Sequence, residues 1–287
     1  MGSKLMSWKN RADYLKGIRS YKNFFVDHKL LEDSCTDKYL LKQALNYNEG
    51  FEKLVNIRKM FKVQENGKDL PVIVIFQGFV EKYVKNALND DFDLKKLNNS
   101  ELGFCFGSFA RQHDDFNYIF VKDNFQLWYL MGFPLILNAL YVHLQKLNAE
   151  KVYTIGFSAG GFASILFGHY LRADLAFSYY PQTLAFSAFT NNYRNLMNFK
   201  FNLSMLSISD LALVQKVSGG FACKTIVSYC EGSAVDINQI ERLNLEDGNL
   251  IIRKYPCNTH NLFGHLNSSD EFDKIKSTIV QDLQGIK

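Results

Sequence analysis

The fold is decided by the stretch VYTIGFSAGGFASILFGHYL, which occupies residues 152–171. Val152 to Ile155 form a short apolar run typical of a buried strand, and the residues from Gly161 onward follow helical spacing. Between them, Gly156 to Gly160 read GFSAG. A strand that turns at once into a helix strains the residue at the tip, and flanking glycines let strand and helix approach. The sequence predicts a strand–turn–helix unit that presents Ser158.

The G-x-S-x-G pattern in this context is the nucleophile elbow, which exposes the hydroxyl of its serine. The free N–H groups at the start of the helix favour negative charge developing at the same place. The glycines do not fit G-x-G-x-x-G, and no G-K-S/T sequence follows, which argues against a phosphate-binding turn. The alternative is a glycine-rich turn that only permits close packing, but the context favours a nucleophilic Ser158.

Short apolar runs recur on both sides of this unit and alternate with helical patterns. Runs that are apolar on both faces are typical of strands in a sheet covered by helices. Their alternation with helices predicts a mostly parallel central sheet with helices on both faces, which with the elbow indicates the α/β-hydrolase fold. The runs are Met60–Gln64, Pro71–Phe76, Tyr118–Val121, Val152–Ile155, Leu175–Tyr179, Thr225–Tyr229 and Leu250–Arg253.

Two segments do not follow this alternation of strands and helices. Residues 1–58 read as an irregular helical N-terminal extension, which leaves 59–287 for the α/β-hydrolase domain. Residues 184–207 form a small aromatic-rich insertion between strands. This insertion is either a lid over a site or a segment packed on the flank of the domain.

Composition excludes several classes of protein. The 287 residues carry 33 Lys+Arg and 29 Asp+Glu, a net charge of +4, which is too weak and dispersed to indicate nucleic-acid binding. A hydrophobic fraction of 47% excludes a disordered chain. No signal-peptide pattern is present, and no run approaches the ~18 apolar residues of a membrane helix. The sequence therefore predicts neither a nucleic-acid partner nor a membrane span.

The five cysteines include no CxxC pair. We expect reduced, mostly buried thiols rather than a disulfide frame or a zinc site. With no targeting segment in view, this predicts a cytoplasmic protein without a metal.

A nucleophilic serine needs a base, and in this fold the chain order is serine, acid, histidine. Only His260 and His265 follow the last predicted strand. His260 comes directly after the turn at 255–259, where a loop would reach back over the sheet. We favour His260 as the base and keep His265 as the alternative.

The acid is expected after the strand Thr225–Tyr229. Asp236 is our first choice and Glu231, which lies closer to the end of the strand, is the alternative. Asp236 precedes a helical pattern at 237–243, so it also fits an N-cap. The two roles are compatible because the acid loop often leads into a helix.

The oxyanion hole of such a site uses the amide that follows the nucleophile and one from the loop after an early strand. These are the backbone N–H groups of Ala159 and Phe79, the latter in the segment Phe76-Gln77-Gly78-Phe79. Gly78 allows this loop to turn tightly.

The elbow, the segments Phe76–Phe79 and Tyr179–Gln182, and His260-Asn261 resemble the α/β-hydrolase-fold serine esterases and O-acetyltransferases of bacterial surface-polysaccharide loci. The resemblance covers about residues 60–283. It implies Ser158 as nucleophile, His260 as base and acyl groups on glycan hydroxyls as substrates. In that family the acid falls two or three residues earlier, where Ser233 and Ala234 stand here.

The resemblance also implies a carbohydrate or polysaccharide partner and no cofactor, with an acyl donor such as acetyl-CoA as a substrate if the reaction is a transfer. Trp128 and Tyr129 follow a strand at the site edge of the sheet, where they either line a sugar or acyl pocket or pack as ordinary aromatics. Esterase and O-acyltransferase share every residue named. The rival class is a non-catalytic binding or assembly protein that keeps the fold, and a homo-oligomer is left open.

Overall fold

The computed structural model describes residues 60–79, 105–123, 128–130, 133–185, 208–262, 266 and 268–285. The N-terminal extension expected over 1–58 lies outside these residues, and so does the expected lid apart from residues 184 and 185. Both interpretations stay predictions. Among the described helices, none is both long and apolar enough to span a bilayer.

A seven-stranded sheet forms the centre of the described chain, in the order β1-β3-β2-β4-β5-β6-β7. Neighbouring strands are parallel except β1 and β3, which run antiparallel. Each apolar run identified in the sequence forms a strand, so the mostly parallel sheet is confirmed. The strands are β1 (Phe61–Gln64), β2 (Val72–Phe76), β3 (Asn117–Val121), β4 (Val152–Phe157), β5 (Leu175–Tyr179), β6 (Lys224–Cys230) and β7 (Leu250–Tyr255).

Six helices of the described residues pack around this sheet. Alternate residues of β2 point to opposite faces, and both sets are buried: Val74 lies in a core cluster with α2 and α3, and Ile75 lies in one with α1 and α6. The helices are α1 (Gly107–Gln112), α2 (Phe133–Lys146), α3 (Ala159–Leu171), α4 (Leu211–Ser218), α5 (Ala234–Ile240) and α6 (Ser268–Leu283).

The covered faces, the crossover strand order and the antiparallel edge strand β1 together form the α/β-hydrolase fold predicted from the sequence. Helix α3 is the central helix of this arrangement. All of its residues are buried, and it packs against β2, β4 and β5. A helix buried on every side needs an apolar sequence all round, and GGFASILFGHYL supplies one.

The cysteines correct one prediction. Cys230, the last residue of β6, forms a disulfide with Cys257, so the expectation of reduced thiols is wrong for these two residues. The physical reason is the strand register. Cys230 lies opposite Tyr255, and Cys257 is two residues farther along the neighbouring segment, where its side chain returns to the same side. Cys105 and Cys223 are free thiols, and Cys35 lies outside the described residues.

Gly160 sits where α3 begins against the end of β2. A Cβ at this position would overlap the carbonyl oxygen of Phe76 and lie 2.9 Å from the carbonyl carbon of Gln77. Both are backbone atoms of a central strand end, so they cannot move aside as a flexible side chain can.

The substitution Gly160→Ala should therefore lower the free energy of unfolding by about 1–3 kcal/mol, the usual range for overpacking. Gly248→Ala is the matched control because a Cβ there meets no atom within 4 Å. Urea unfolding followed by circular dichroism measures both variants. Equal stability of the two variants would contradict the close approach of α3 to β2.

Candidate active site

Ser158 lies at the tip of the turn between β4 and α3. Its φ is 53° and its ψ is −119°, a strained conformation for a residue with a side chain. The Ser158 N–H donates to the Tyr179 carbonyl at 2.9 Å, and the Ser158 carbonyl accepts from the Phe162 N–H at 2.9 Å. The backbone on both sides therefore holds the strained residue and directs its hydroxyl to the carboxyl edge of the sheet.

The glycines around Ser158 are explained by backbone contacts. A Cβ on Gly156 would overlap the carbonyl oxygen of Gly160, and a Cβ on Gly161 would lie 2.9 Å from the carbonyl oxygen of Tyr179. Together with the contact of Gly160 on β2, these approaches account for each glycine of the motif. The turn therefore matches the steric argument made from the sequence.

His260 lies beside the Ser158 hydroxyl. Its Nε2 is 3.3 Å from the Ser158 Oγ, and its Nδ1 is 2.5 Å from the Oδ1 of Asp236. A carboxylate only accepts hydrogen bonds, so Nδ1 carries the proton in the neutral imidazole. Nε2 is then the acceptor that faces the hydroxyl, which is the tautomer that a general base requires.

Asp236 reaches His260 from the first turn of α5. The helix begins at Ala234, three residues earlier than its sequence pattern suggests, and Ser233 is its N-cap. The N-cap interpretation of Asp236 is therefore corrected: its N–H donates to the Ser233 Oγ at 3.4 Å. Asp236 thus lies on the helix, whereas the positions at which the resemblance places the acid, Ser233 and Ala234, form the cap and the first turn.

The Asp236 carboxylate is 1% exposed. Its Oδ1 bonds to His260, and its buried Oδ2 has no hydrogen-bond partner among the described residues. Glu231, the alternative acid, is exposed, and within the described residues no hydrogen bond joins its side chain to His260. His265, the alternative base, lies outside the described residues.

Tyr180 completes the surroundings of His260, and the sequence argument gave it no role although it lies in the segment Tyr179–Gln182 that carries the resemblance. Its ring meets the imidazole edge-on with 4.9 Å between the ring centroids, and Phe157 packs against it at 5.9 Å. Its φ is 37°, and its N–H donates to the Ser228 carbonyl at 2.6 Å. Burial raises the pKa of the Tyr180 hydroxyl well above its ordinary value, so it stays neutral. The sequence signal that could have found Tyr180 is its position directly after β5, the strand next to the one that leads into the elbow.

The loop after β2 lies against the elbow. A Cβ on Gly78 would lie 2.5 Å from the ring of Phe157, the residue before Ser158. Phe79, which follows Gly78, stacks on Trp128 with 5.2 Å between ring centroids. Ala159, the other residue expected to line the oxyanion hole, is the first residue of α3, where helix N–H groups lack intrahelical acceptors.

Trp128 and Tyr129 have no exposed surface. The Tyr129 hydroxyl lies 2.8 and 3.1 Å from the carbonyl oxygens of Gln77 and Val121, which share its single proton, and the Tyr129 N–H donates to Asp123 at 3.0 Å. These contacts favour the packing interpretation over contact with substrate. Both residues brace the segment that carries Phe79.

A second serine–histidine pair, Ser218 and His169, has similar distances but a different histidine tautomer. Ser218 Oγ is 3.2 Å from the Nε2 of His169, but the Nδ1 of His169 accepts the Ala222 N–H at 3.0 Å. Nε2 of His169 therefore bears the proton and donates to Ser218. This tautomer is the opposite of the one at His260, so His169 cannot take a proton from Ser218.

No protein-family model matches the chain, and no curated protein matches it in sequence. Among solved structures, the chain is similar to the glycosylation-associated Gap123 complex of Streptococcus agalactiae, with a TM-score of 0.53 and 13% identity over 77% of this chain and 44% of that one. It thus spans less than half of that chain. It is also similar to the capsule O-acetyltransferase of Neisseria meningitidis serogroup A, with a TM-score of 0.51 and 13% identity over 77% of this chain and 90% of that one.

At this identity the likeness is one of fold. It confirms, at the level of the fold, the resemblance to proteins of bacterial surface-polysaccharide loci that the sequence suggested.

The hydrogen bond between His260 and Asp236 has a spectroscopic consequence. A short N–H···O⁻ bond deshields its proton, so the proton spectrum should contain a resonance far downfield of the backbone amides. Asp236→Ala and His260→Ala should each remove it, while Glu231→Ala should retain it. A downfield resonance that survives Asp236→Ala would contradict the pairing.

Proposed function

We propose that this chain is a serine-nucleophile acyl-transfer enzyme. The observation that carries the proposal is the continuous path Ser158 Oγ, His260 Nε2, His260 Nδ1 and Asp236 Oδ1, with distances of 3.3 and 2.5 Å. A strained serine at a helix start, a histidine in the accepting tautomer and a buried carboxylate form the arrangement that activates a hydroxyl for attack on a carbonyl.

The reaction follows from this geometry in two halves. The Ser158 Oγ attacks the ester or thioester carbonyl while His260 takes the hydroxyl proton, and Asp236 stabilises the imidazolium that forms. The tetrahedral intermediate collapses to an acyl-serine, and His260 returns the proton to the leaving group. Water or a sugar hydroxyl then gives its proton to His260 and attacks the acyl carbon, and His260 returns that proton to the Ser158 Oγ as the serine leaves.

We assign the oxyanion hole to the backbone amides of Ala159 and Phe79. The packing of Gly78 on Phe157 supports this, because it brings the Phe79 loop beside the residue that precedes the nucleophile. One such donor typically contributes about 3 kcal/mol of transition-state stabilisation. No cofactor enters the scheme, and an acyl donor such as acetyl-CoA is a substrate if the reaction is a transfer.

The substrate class we propose is an acylated carbohydrate or polysaccharide. The likeness of fold to a capsule O-acetyltransferase and the weak net charge of +4, which suits a weakly anionic glycan, support it. The expected cytoplasmic location fits poorly with the Cys230–Cys257 disulfide, because disulfides persist mainly in oxidising compartments. We therefore propose that the protein acts in such a compartment.

The first test is covalent labelling with a fluorophosphonate probe together with turnover of an activated acetate ester. Ser158→Ala and His260→Ala should each reduce kcat by a factor of about 10⁴–10⁶, because members of a triad act as a unit. Ser218→Ala is the matched control, since its hydroxyl also lies beside a histidine Nε2, at 3.2 Å, but in the wrong tautomer. A folded wild type that neither labels nor turns over would favour a non-catalytic binding or assembly protein.

The second test identifies the acid. Asp236→Asn should lower kcat about 10⁴-fold by reversing the tautomer of His260, while KM changes little. Glu231→Gln should leave kcat unchanged, because Glu231 is exposed. The reverse pattern would transfer the role to Glu231.

A third experiment separates hydrolysis from transfer. The protein is incubated with acetylated polysaccharide alone, and with unacetylated polysaccharide plus acetyl-CoA, and free acetate and polymer-bound acetyl groups are measured. An esterase releases acetate in the first reaction. A transferase acetylates the polymer in the second.

A further inference from the structure

The disulfide joins the two segments that carry the proposed acid and base. Cys230 ends β6 and precedes Asp236 by six residues, whereas Cys257 follows β7 and precedes His260 by three. The bond therefore lies at the same carboxyl edge of the sheet as the Asp236–His260 pair. Nothing in the acyl-transfer chemistry consumes it, so its placement calls for a separate explanation.

The same two segments are also joined by their backbones. The Glu231 N–H donates to the Tyr255 carbonyl at 3.0 Å, and the Gly232 N–H donates to the Cys257 carbonyl at 2.9 Å. A Cβ on Gly232 would lie 2.9 Å from that same carbonyl oxygen. The cross-link thus reinforces a close pairing that continues β6 and β7 beyond the last ladder pair, Cys230 with Tyr255.

The cross-link lies at an edge of the sheet, where the segment that carries His260 has the fewest neighbouring strands. β7 is the edge strand on this side of the described sheet and pairs there only with β6. Beyond it, His260 lies between two anchors: Cys257 on one side, and on the other Leu262, which has no exposed surface. Among the described residues, removing the covalent anchor leaves the segment that carries His260 held by non-covalent contacts: its backbone hydrogen bond to Gly232, the contacts of His260 with Asp236 and Tyr180, and the packing of Leu262.

We propose that Cys230 and Cys257 are positioning residues whose disulfide sets the Asp236–His260 pair and makes the activity sensitive to dithiol reductants. This inference rests on the proposed acyl-transfer function. Cys257 is partly exposed and Cys230 is buried, so a reductant thiolate attacks the Cys257 sulfur and Cys230 departs as the thiol after protonation. The second thiol of the reductant then displaces Cys257. Two electrons and two protons end on the cysteines, and the dithiol leaves as its own cyclic disulfide.

The remaining described thiols do not compete for this role. Burial raises the pKa of Cys105, and it raises the pKa of Cys223 to about 12. Thiols that stay protonated are poor nucleophiles in disulfide exchange. We therefore do not expect Cys105 or Cys223 to exchange with the cross-link.

The experiment compares wild type with Cys230→Ser/Cys257→Ser, using Cys223→Ser as the control, before and after treatment with dithiothreitol. Peptide mapping under non-reducing conditions first establishes the linkage. Reduction of wild type should lower kcat by up to about 10²-fold, the cost of a misplaced catalytic group, with KM nearly unchanged. The double variant should show the low kcat with or without reductant, and Cys223→Ser should behave as wild type.

Two further readouts separate positioning from unfolding and from failure of the proposed function. Circular dichroism should show that reduced wild type stays folded, while the downfield proton of His260 weakens. Free thiols at Cys230 and Cys257 after oxidative preparation, or a kcat and downfield resonance indifferent to reduction, would overturn the inference. A linked protein without esterase or transferase activity refutes the proposed function instead, and the response of the resonance to reduction still decides whether the cross-link positions the pair.

Discussion

The contact between the start of α3 and the end of β2 is the constraint on which the rest of the site depends. Gly160 has no side chain, so the helix approaches the Phe76 carbonyl closely enough to be buried over its whole length. The turn that precedes the helix holds Ser158 at a positive φ of 53°, and the Tyr179 carbonyl stabilises this conformation by accepting the Ser158 N–H. The close backbone approach in the core therefore lies directly beside the turn that presents the Ser158 hydroxyl at the edge of the sheet.

Electrostatics links Asp236 to His260. A carboxylate that is 1% exposed is costly in a protein interior unless it is paired, and among the described residues His260 is the side chain that bonds to Asp236. The hydrogen bond from His260 to the buried Asp236 carboxylate on α5 therefore favours folding of the segment after β7. The Ser233 cap has the complementary effect, because it begins the helix early enough to place Asp236 on its first turn.

The sequence predicted those parts of the arrangement that depend on local residue patterns. The elbow, the alternation of strands with helices and the position of His260 beside Ser158 all follow from spacing and chain order. The disulfide was missed because its pairing depends on which strands are neighbours, and the Tyr180 contact with His260 was missed for the same reason. Burial of Trp128 and Tyr129 was undecidable from sequence, since a packing aromatic and a pocket aromatic have the same pattern.

Ser158, Asp236 and His260 are held by different numbers of neighbouring helices and strands, and the difference follows from their positions in the sheet. Ser158 is held by the central helix and by three strands, and Asp236 by a helix that follows an interior strand. His260 follows the edge strand, which has a single neighbour in the described sheet, and its segment is the one that carries a covalent bond to the interior strand. The cross-link thus lies at the segment whose strand has the fewest neighbours in the described sheet. The position of the disulfide therefore follows from the topology of the sheet as much as from the chemistry of the site.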